Sequence, residues 1–395
     1  MTKKKKRLLA ALLILIAVIA VAFGGERASV GVIGGADGPT AIFVATPDDR
    51  AEEAEEEERE PFATVPASPV PMTGETISVY NWGDYIDAEV IDIFEAETGI
   101  KVIYETFETN EDMYAKIAMG GSSYDVIFPS DYMVERMIRE QLLQPINWNN
   151  VPNVKNIDPR FMNESYDPEG QYAVPYTWGT MGVLYNTEMV ISEPDSWDVL
   201  LDETYKMDMF MLNAPRDTMA IALVMCGHDL NSTDPADLAD AKKLLIDQKP
   251  LVLAYVVDEV KDKMIAGEAT VALVWSGDAT YCMSESDELN YVVPKEGSNI
   301  FYDAMCIPHN ARNVSGAEKF IDFMCRADIA AMNYDYVGYA IPNMAAIELW
   351  GAEEYNASPV NNPPQETLDK CQVFKYLGEE TKLYDTIWTE IISEF

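Results

Sequence analysis

The chain has 395 residues, 48% hydrophobic and 10% aromatic, which is material for sizeable cores and length enough for two lobes. It carries 67 acidic against 28 basic residues, a formal net charge of −39, and this excludes a phosphate-tracking nucleic-acid surface, which needs clustered Lys and Arg. A solvated surface position is the ordinary explanation for any one carboxylate, so a cationic ligand has to be argued from particular positions.

At the N-terminus, Lys3, Lys4, Lys5, Lys6 and Arg7 precede an apolar run over 8–23, the pattern of a secretory signal peptide or an uncleaved signal anchor. Residues 1–25 are assigned to it, with Ala20-Val21-Ala22 as a possible cleavage site, and the rest is expected outside the cytoplasmic membrane. No cysteine follows the run closely, so a lipid anchor is not expected there. The segment 29–43, containing Gly34-Gly35-Ala36-Asp37-Gly38-Pro39-Thr40, resembles a membrane motif in the beta subunit of sodium-translocating decarboxylases. The resemblance is short, and a fragment or stalk element is preferred over an ion path through Asp37. A dense acidic run over 48–60 and a Pro-rich stretch over 61–71 read as a disordered, extended linker. Residues 26–75 form this insert and linker, and folding is expected to start near Thr76.

From there short apolar strands alternate with helices, the pattern of an open, largely parallel α/β sheet. A strand is expected over 77–80, a helix over 88–98 capped by Asp87 and closed by Gly99, and a strand over 101–105. A helix over 111–119 follows Asn110, and a buried strand over 126–128 leads through Pro129-Ser130-Asp131 into a helix over 132–141. Later come a strand over 207–212 followed by Asn213-Ala214-Pro215-Arg216-Asp217, and a strand over 270–274 followed by Trp275-Ser276-Gly277-Asp278. Ligands of open α/β sheets gather beyond the carboxyl ends of strands. Trp82, Tyr85, Ser130, Tyr132, Asp217 and Trp275 all fall there. Taken singly, each is as readily a core or cap residue, and it is their joint placement that points to a site. Acids at intervals with aromatic faces between them suit ammonium groups joined by methylene chains, although sugar sites also combine aromatics with acids.

The five cysteines, Cys226, Cys282, Cys306, Cys325 and Cys371, are odd in number and widely spaced, so buried free thiols are expected. His228 and His309 stand in no metal-ligand spacing, and no metal or cofactor is expected.

Several blocks resemble the spermidine/putrescine-binding proteins of polyamine ABC importers. They are Val79-Tyr80-Asn81-Trp82-Gly83-Asp84-Tyr85, Asn110-Glu111-Asp112-Met113-Tyr114-Ala115-Lys116, Ser123-Tyr124-Asp125-Val126-Ile127-Phe128-Pro129-Ser130 and Val174-Pro175-Tyr176-Thr177-Trp178-Gly179, followed by Asp303-Ala304-Met305-Cys306-Ile307-Pro308 and Gly338-Tyr339-Ala340-Ile341-Pro342-Asn343. The resemblance implies a two-lobe, two-crossover binding-protein clamp, with 76–178 plus 301–347 as one lobe and 179–300 plus 348–395 as the other. It implies a monomer that binds a polyamine, delivers it to ABC permease subunits and catalyses nothing. It also implies Trp82, Tyr85, Ser130, Tyr132, Asp217, Trp275, Phe301, Asp303, Tyr339 and Gln372 as ligand-binding residues. Phe301 stands where such proteins usually have Trp, and Ala214 where some carry an acid. Asp258 is then a candidate compensating acid, although it and Asp278 are as readily helix caps. Competing classes are a binding protein for a sugar or amino acid and a secreted carboxylate-dependent hydrolase, for which no catalytic pair stands out.

Overall fold

The computed structural model describes residues 29–33, 41–45, 62–120 and 123–393. The expected signal segment, Asp37 and the acidic run lie outside the described residues. Near the N-terminus, β1 (Ser29–Ile33) and β2 (Ala41–Ala45) pair antiparallel, with Val30 opposite Val44. No described helix is long and apolar enough to cross a membrane.

The remainder, from Pro61 onward, forms a separate compact unit. Its first strand, β3 (Thr76–Trp82), leads into α1 (Ala88–Thr98), where the Asp87 carboxylate accepts from the Glu89 amide at 2.9 Å and Gly99 ends the helix at φ 69°. That left-handed turn is one only glycine adopts without strain. The expectation of an extended, disordered 61–71 is corrected here. Helix ends leave carbonyls without intrahelical partners, and those of Ala96 and Gly99 receive the Val70 and Thr73 amides, each at 2.8 Å. Phe62 packs against a cluster containing Tyr334 and Tyr355, so residues 62–75 are an irregular strap bound to the fold.

Next come β4 (Lys101–Phe107), α2 (Asn110–Ala118), β5 (Val126–Ile127) and α3 (Asp131–Arg139). Thr109 caps α2, its hydroxyl accepting from the Asp112 amide; the helix thereby starts at Asn110 rather than at 111, and Asn110 is buried in it. The long strand β6 (Ala173–Asn186) is buried at all 14 positions. The chain continues through β7 (Met209–Leu212), α4 (Pro215–Met225), α5 (Pro235–Gln248), β8 (Ala254–Val256), α6 (Val260–Ile265), β9 (Val271–Trp275), α7 (Ser276–Glu285), β10 (Leu289–Val292) and β11 (Ile300–Cys306). The expected start of β7 at 207 is corrected to Met209, because Met207 takes a left-handed φ of 59°. Then follow α8 (Val314–Met324), α9 (Ala327–Val337), α10 (Met344–Trp350), α11 (Ala352–Ala357), α12 (Gln365–Leu368) and α13 (Thr381–Ser393).

One sheet runs in the order β4-β3-β5-β11-β6-β9-β7-β8, with β10 also on β6. Its flanks are parallel, β3 with β4 and β5 at one end, β7 with β8 and β9 at the other. Its centre is antiparallel, since β6 pairs with β11 through its first half and with β9 and β10 through its second. Separate cores cover the two ends, one around Ile77, Phe94 and Phe320, the other around Trp197, Met209, Leu223 and Trp388. Tyr355 packs into the cluster of Tyr334, whereas Val360 joins that of Tyr291.

Candidate functional site

The centre of the sheet, where β11 lies on β6, brings an acid and several aromatics together. Along a strand alternate side chains share a face, so Phe301 and Asp303 project together while Tyr302 turns away onto Phe161 and Tyr166. In the β6–β11 register Phe301 stands opposite Gly179 and Asp303 opposite Thr177. A Cβ at Gly179 would run into the Phe301 ring, so the glycine is what lets that ring lie over the strand.

Asp303 is 6% exposed. Its two oxygens accept from the Tyr85 hydroxyl at 2.6 Å and the Ser130 hydroxyl at 2.7 Å. Tyr85 also shares a 2.7 Å hydrogen bond with the Thr177 hydroxyl. Burial pushes the Asp303 carboxyl above its ordinary range, against the two hydroxyls that favour its charge. None of the described Lys, Arg or His residues forms an ion pair with it. The ring of Tyr339 stands edge-on to both Tyr85 and Phe301, at 5.6 and 6.0 Å.

A polar network extends this centre outward. Buried Asn110 receives the Ser130 amide on its Oδ1 at 3.1 Å and donates to the Ser130 and Tyr132 hydroxyls at 3.0 and 3.2 Å. The Tyr132 hydroxyl donates to Glu111 at 3.1 Å, and its ring meets Phe374 edge-on. Asp131, wholly buried, accepts from the Tyr302 amide at 3.1 Å and so fixes β11 beside the irregularity between Asp303 and Ala304. Trp82 donates its indole N–H to the Phe128 carbonyl at 2.8 Å and lies against Phe107.

On the other half, Trp275 donates its indole N–H to Asp217 at 3.1 Å. Asp217 retains some surface, yet the apolar mass around it pushes its carboxyl up. The neighbouring Arg216 stacks on Phe374 and Tyr384 and donates to the Lys375 carbonyl at 3.1 Å. The strap over 371–376 is thus held on one side by Arg216 and Asn231 and on the other by α3, where Glu135 accepts from the Tyr376 amide at 2.8 Å. Gln372 stands in this strap. Its backbone bonds to Ile300 and Ser298, and its side-chain oxygen faces the Leu230 amide at 3.3 Å.

Asp278 does not cap α7, whose N-cap is Trp275; it lies within the first turn and is 8% exposed. Burial pushes its carboxyl to about 6, with nearby Asp258 adding and Lys261 opposing. Gly277 before it packs its backbone on the Tyr339 ring, where any Cβ would clash. Asp258 itself is exposed and, being one residue before the N-cap Glu259, does not cap α6. The cysteines are free; burial pushes Cys371 up to about 11 and Cys282 up to about 12. Among the described residues no cluster of acidic, His or Cys side chains has metal-binding geometry.

The chain matches the family model described as bacterial extracellular solute-binding protein over residues 89–362. It is 33% identical over 319 residues to the spermidine/putrescine-binding periplasmic protein of Salmonella typhimurium, covering 80% of this chain and 91% of that protein. With the putrescine-binding periplasmic protein PotF of Escherichia coli the identity is 31% over 339 residues, covering 80% and 91%. Among solved structures, a putative spermidine/putrescine ABC transporter from Listeria monocytogenes superposes with a TM-score of 0.75 at 42% identity, over 81% of this chain and 99% of that one. The spermidine/putrescine ABC transporter substrate-binding protein PotD from Streptococcus pneumoniae gives 0.74 at 38% identity, over 80% and 98%.

Proposed function

The chain belongs to the bacterial extracellular solute-binding protein family, and from that premise we propose that it binds a linear polyamine outside the cytoplasmic membrane and hands it to an ABC importer. The observation that carries this reading is Asp303, a buried carboxylate without a cationic partner among the described residues, hydrogen-bonded to Tyr85 and two residues from Phe301 on β11, with the ring of Tyr339 edge-on to both of those rings. A buried charge is costly unless it is paired. An ammonium entering there supplies the missing charge, and the aromatic faces cover its methylene stem.

In this reading Asp303 holds one nitrogen, Asp217 another from the opposite half, and Ser130 and Tyr132 line the path between. Trp82, Trp275 and Tyr339 supply faces, and Gln372 ties the C-terminal strap to the strand that carries Phe301. The expected lobes are 76–178 with 301–347 and 179–300 with 348–395, and packing carries the first of them past 347. The split of Tyr355 from Val360 favours a return crossing between those two residues. Closure about β6 and β11 is a hinge motion, and the closed form is what the permease meets. Binding and release suffice, and no residue is assigned a catalytic role.

Native mass spectrometry of the purified protein against putrescine, spermidine, sugars and amino acids tests the proposal. The expected result is a retained polyamine in one-to-one stoichiometry; retention of a sugar with no polyamine adduct would refute it.

A further inference from the structure

Lys261 brings an ammonium of the protein's own to the site. Its Nζ lies 3.6 Å from Asp278 Oδ1, and its side chain stays 34% exposed against 11% for Asp278. The same ammonium is 5.9 Å from the Tyr281 ring centroid. Asp278 borders the site through Gly277, which packs on the Tyr339 ring, and that ring in turn meets Phe301 and Tyr85.

A lysine ammonium on its four-carbon stem is chemically one end of a diamine. We infer that Lys261 is a tethered competitor: it pairs with Asp278 when no ligand is present and thereby sets which amines the site retains. The inference rests on the polyamine reading and names a specificity-determining residue for it.

Two features make the lysine displaceable. It is partly exposed, so water can receive its charge when it swings away, and it stands on α6, a short helix outside the β6–β11 centre. Asp278 by contrast is buried and needs a cation. Of the charges around it, Lys261 alone favours its ionised form, against burial and the nearby Asp258. Whether an incoming ammonium displaces Lys261 or sits beside it, the lysine's positive charge opposes binding, by competition in the first case and by repulsion in the second. A ligand must therefore bring enough contact elsewhere, at Asp303 and Asp217, to overcome that opposition. Amines that reach Asp278 are penalised and those that do not are spared.

The experiment is titration calorimetry on the full chain at pH 8, above the value near 6 at which the Asp278 carboxyl stands, using putrescine and spermidine in low salt. Four proteins are compared: wild type, Lys261→Met, Lys261→Arg and, as a control for bulk charge, Lys101→Met. Lys101 lies on β4, paired with Glu95 and 58% exposed. Lys261→Met is expected to tighten at least one of the two amines about tenfold, with the gain shrinking in high salt. Lys261→Arg, which restores the charge, and Lys101→Met are expected to stay within about twofold of wild type. Unchanged or weaker binding of both amines by Lys261→Met would overturn the inference, as would an equal gain in Lys101→Met. Absence of binding by all four proteins would instead overturn the functional reading beneath it.

Discussion

Replacing Asp303 with asparagine separates ligand binding from folding. The carboxylate is 6% exposed and accepts two hydroxyl hydrogen bonds, at 2.6 and 2.7 Å. The amide keeps the shape and one acceptor oxygen, and the Tyr85 or Ser130 hydroxyl facing the new NH2 can rotate to accept from it. Because burial already disfavours the ionised form, neutralising the residue relieves a desolvation cost while exchanging charge-assisted hydrogen bonds for neutral ones, and the unliganded fold should change by no more than about 1 kcal/mol. The ligand's ammonium loses its counter-charge in a desolvated setting, a loss of about 2 to 5 kcal/mol, or roughly thirty-fold to several-thousand-fold in affinity. Titration calorimetry with spermidine, alongside thermal melts without ligand, reads the two effects separately. Exposed Glu203→Gln is the control and should be nearly silent. Equal losses of affinity in Asp303→Asn and Glu203→Gln would refute the reasoning, since bulk negative charge rather than one carboxylate would then attract the ligand.

Other outcomes follow from the same geometry. The folded Asp278 carboxyl stands near 6 against about 3.8 when unfolded, so between these values the folded chain holds the extra proton. Stability is therefore lost as pH rises through that window, by up to about 3 kcal/mol; melts of the unliganded protein should show a larger drop from pH 5 to pH 7.5 than melts of Asp278→Asn, and parallel drops would contradict the assignment. Because an ammonium lowers the pKa of carboxyls that burial has raised, ligand binding near pH 6 should release protons, visible as a calorimetric enthalpy that depends on the buffer's ionisation heat. Gly277→Ala pushes a methyl into the Tyr339 ring, and a displaced ring should weaken binding about tenfold with the fold retained, checked by titration and circular dichroism. Glu135→Ala removes the acceptor of the Tyr376 amide and should speed ligand release several-fold in stopped flow, a loss of about 1 kcal/mol; an unchanged release rate would show that the strap does not hold the closed form.

What the sequence disclosed depended on how local each signal was. The helix α1 was legible because Asp87 and Gly99 supply both caps within the segment itself. The strand β6 shows no single-element signal in the sequence, since burial on both faces erases alternation, and Pro175, Gly179 and Gly182 interrupt its apolar run. The Pro-rich strap looked like a linker because its partners, the carbonyls at the end of α1 and the cluster around Tyr334, lie far away in sequence. At the site, strand ends pointed to Ser130, Asp217 and Trp275 by position alone, whereas Asp303 and Tyr339 came through resemblance. Asn110 reads as a residue before a helix, although it joins Ser130 to Tyr132. Thr177 carries no signal of its own within its block; only the β6–β11 register places it opposite Asp303. Asp278 reads locally as a helix cap, and its burial beside Tyr339 follows from the packing of Gly277, which no local pattern reveals.

A crystal structure of the protein with spermidine tests the central claim most directly. The account expects a ligand nitrogen within about 3 Å of the Asp303 carboxylate, with the methylene chain lying against Phe301 and Tyr339 and a second nitrogen toward Asp217. A ligand bound elsewhere, with the Asp303 carboxylate still engaged only by Tyr85 and Ser130, would contradict it.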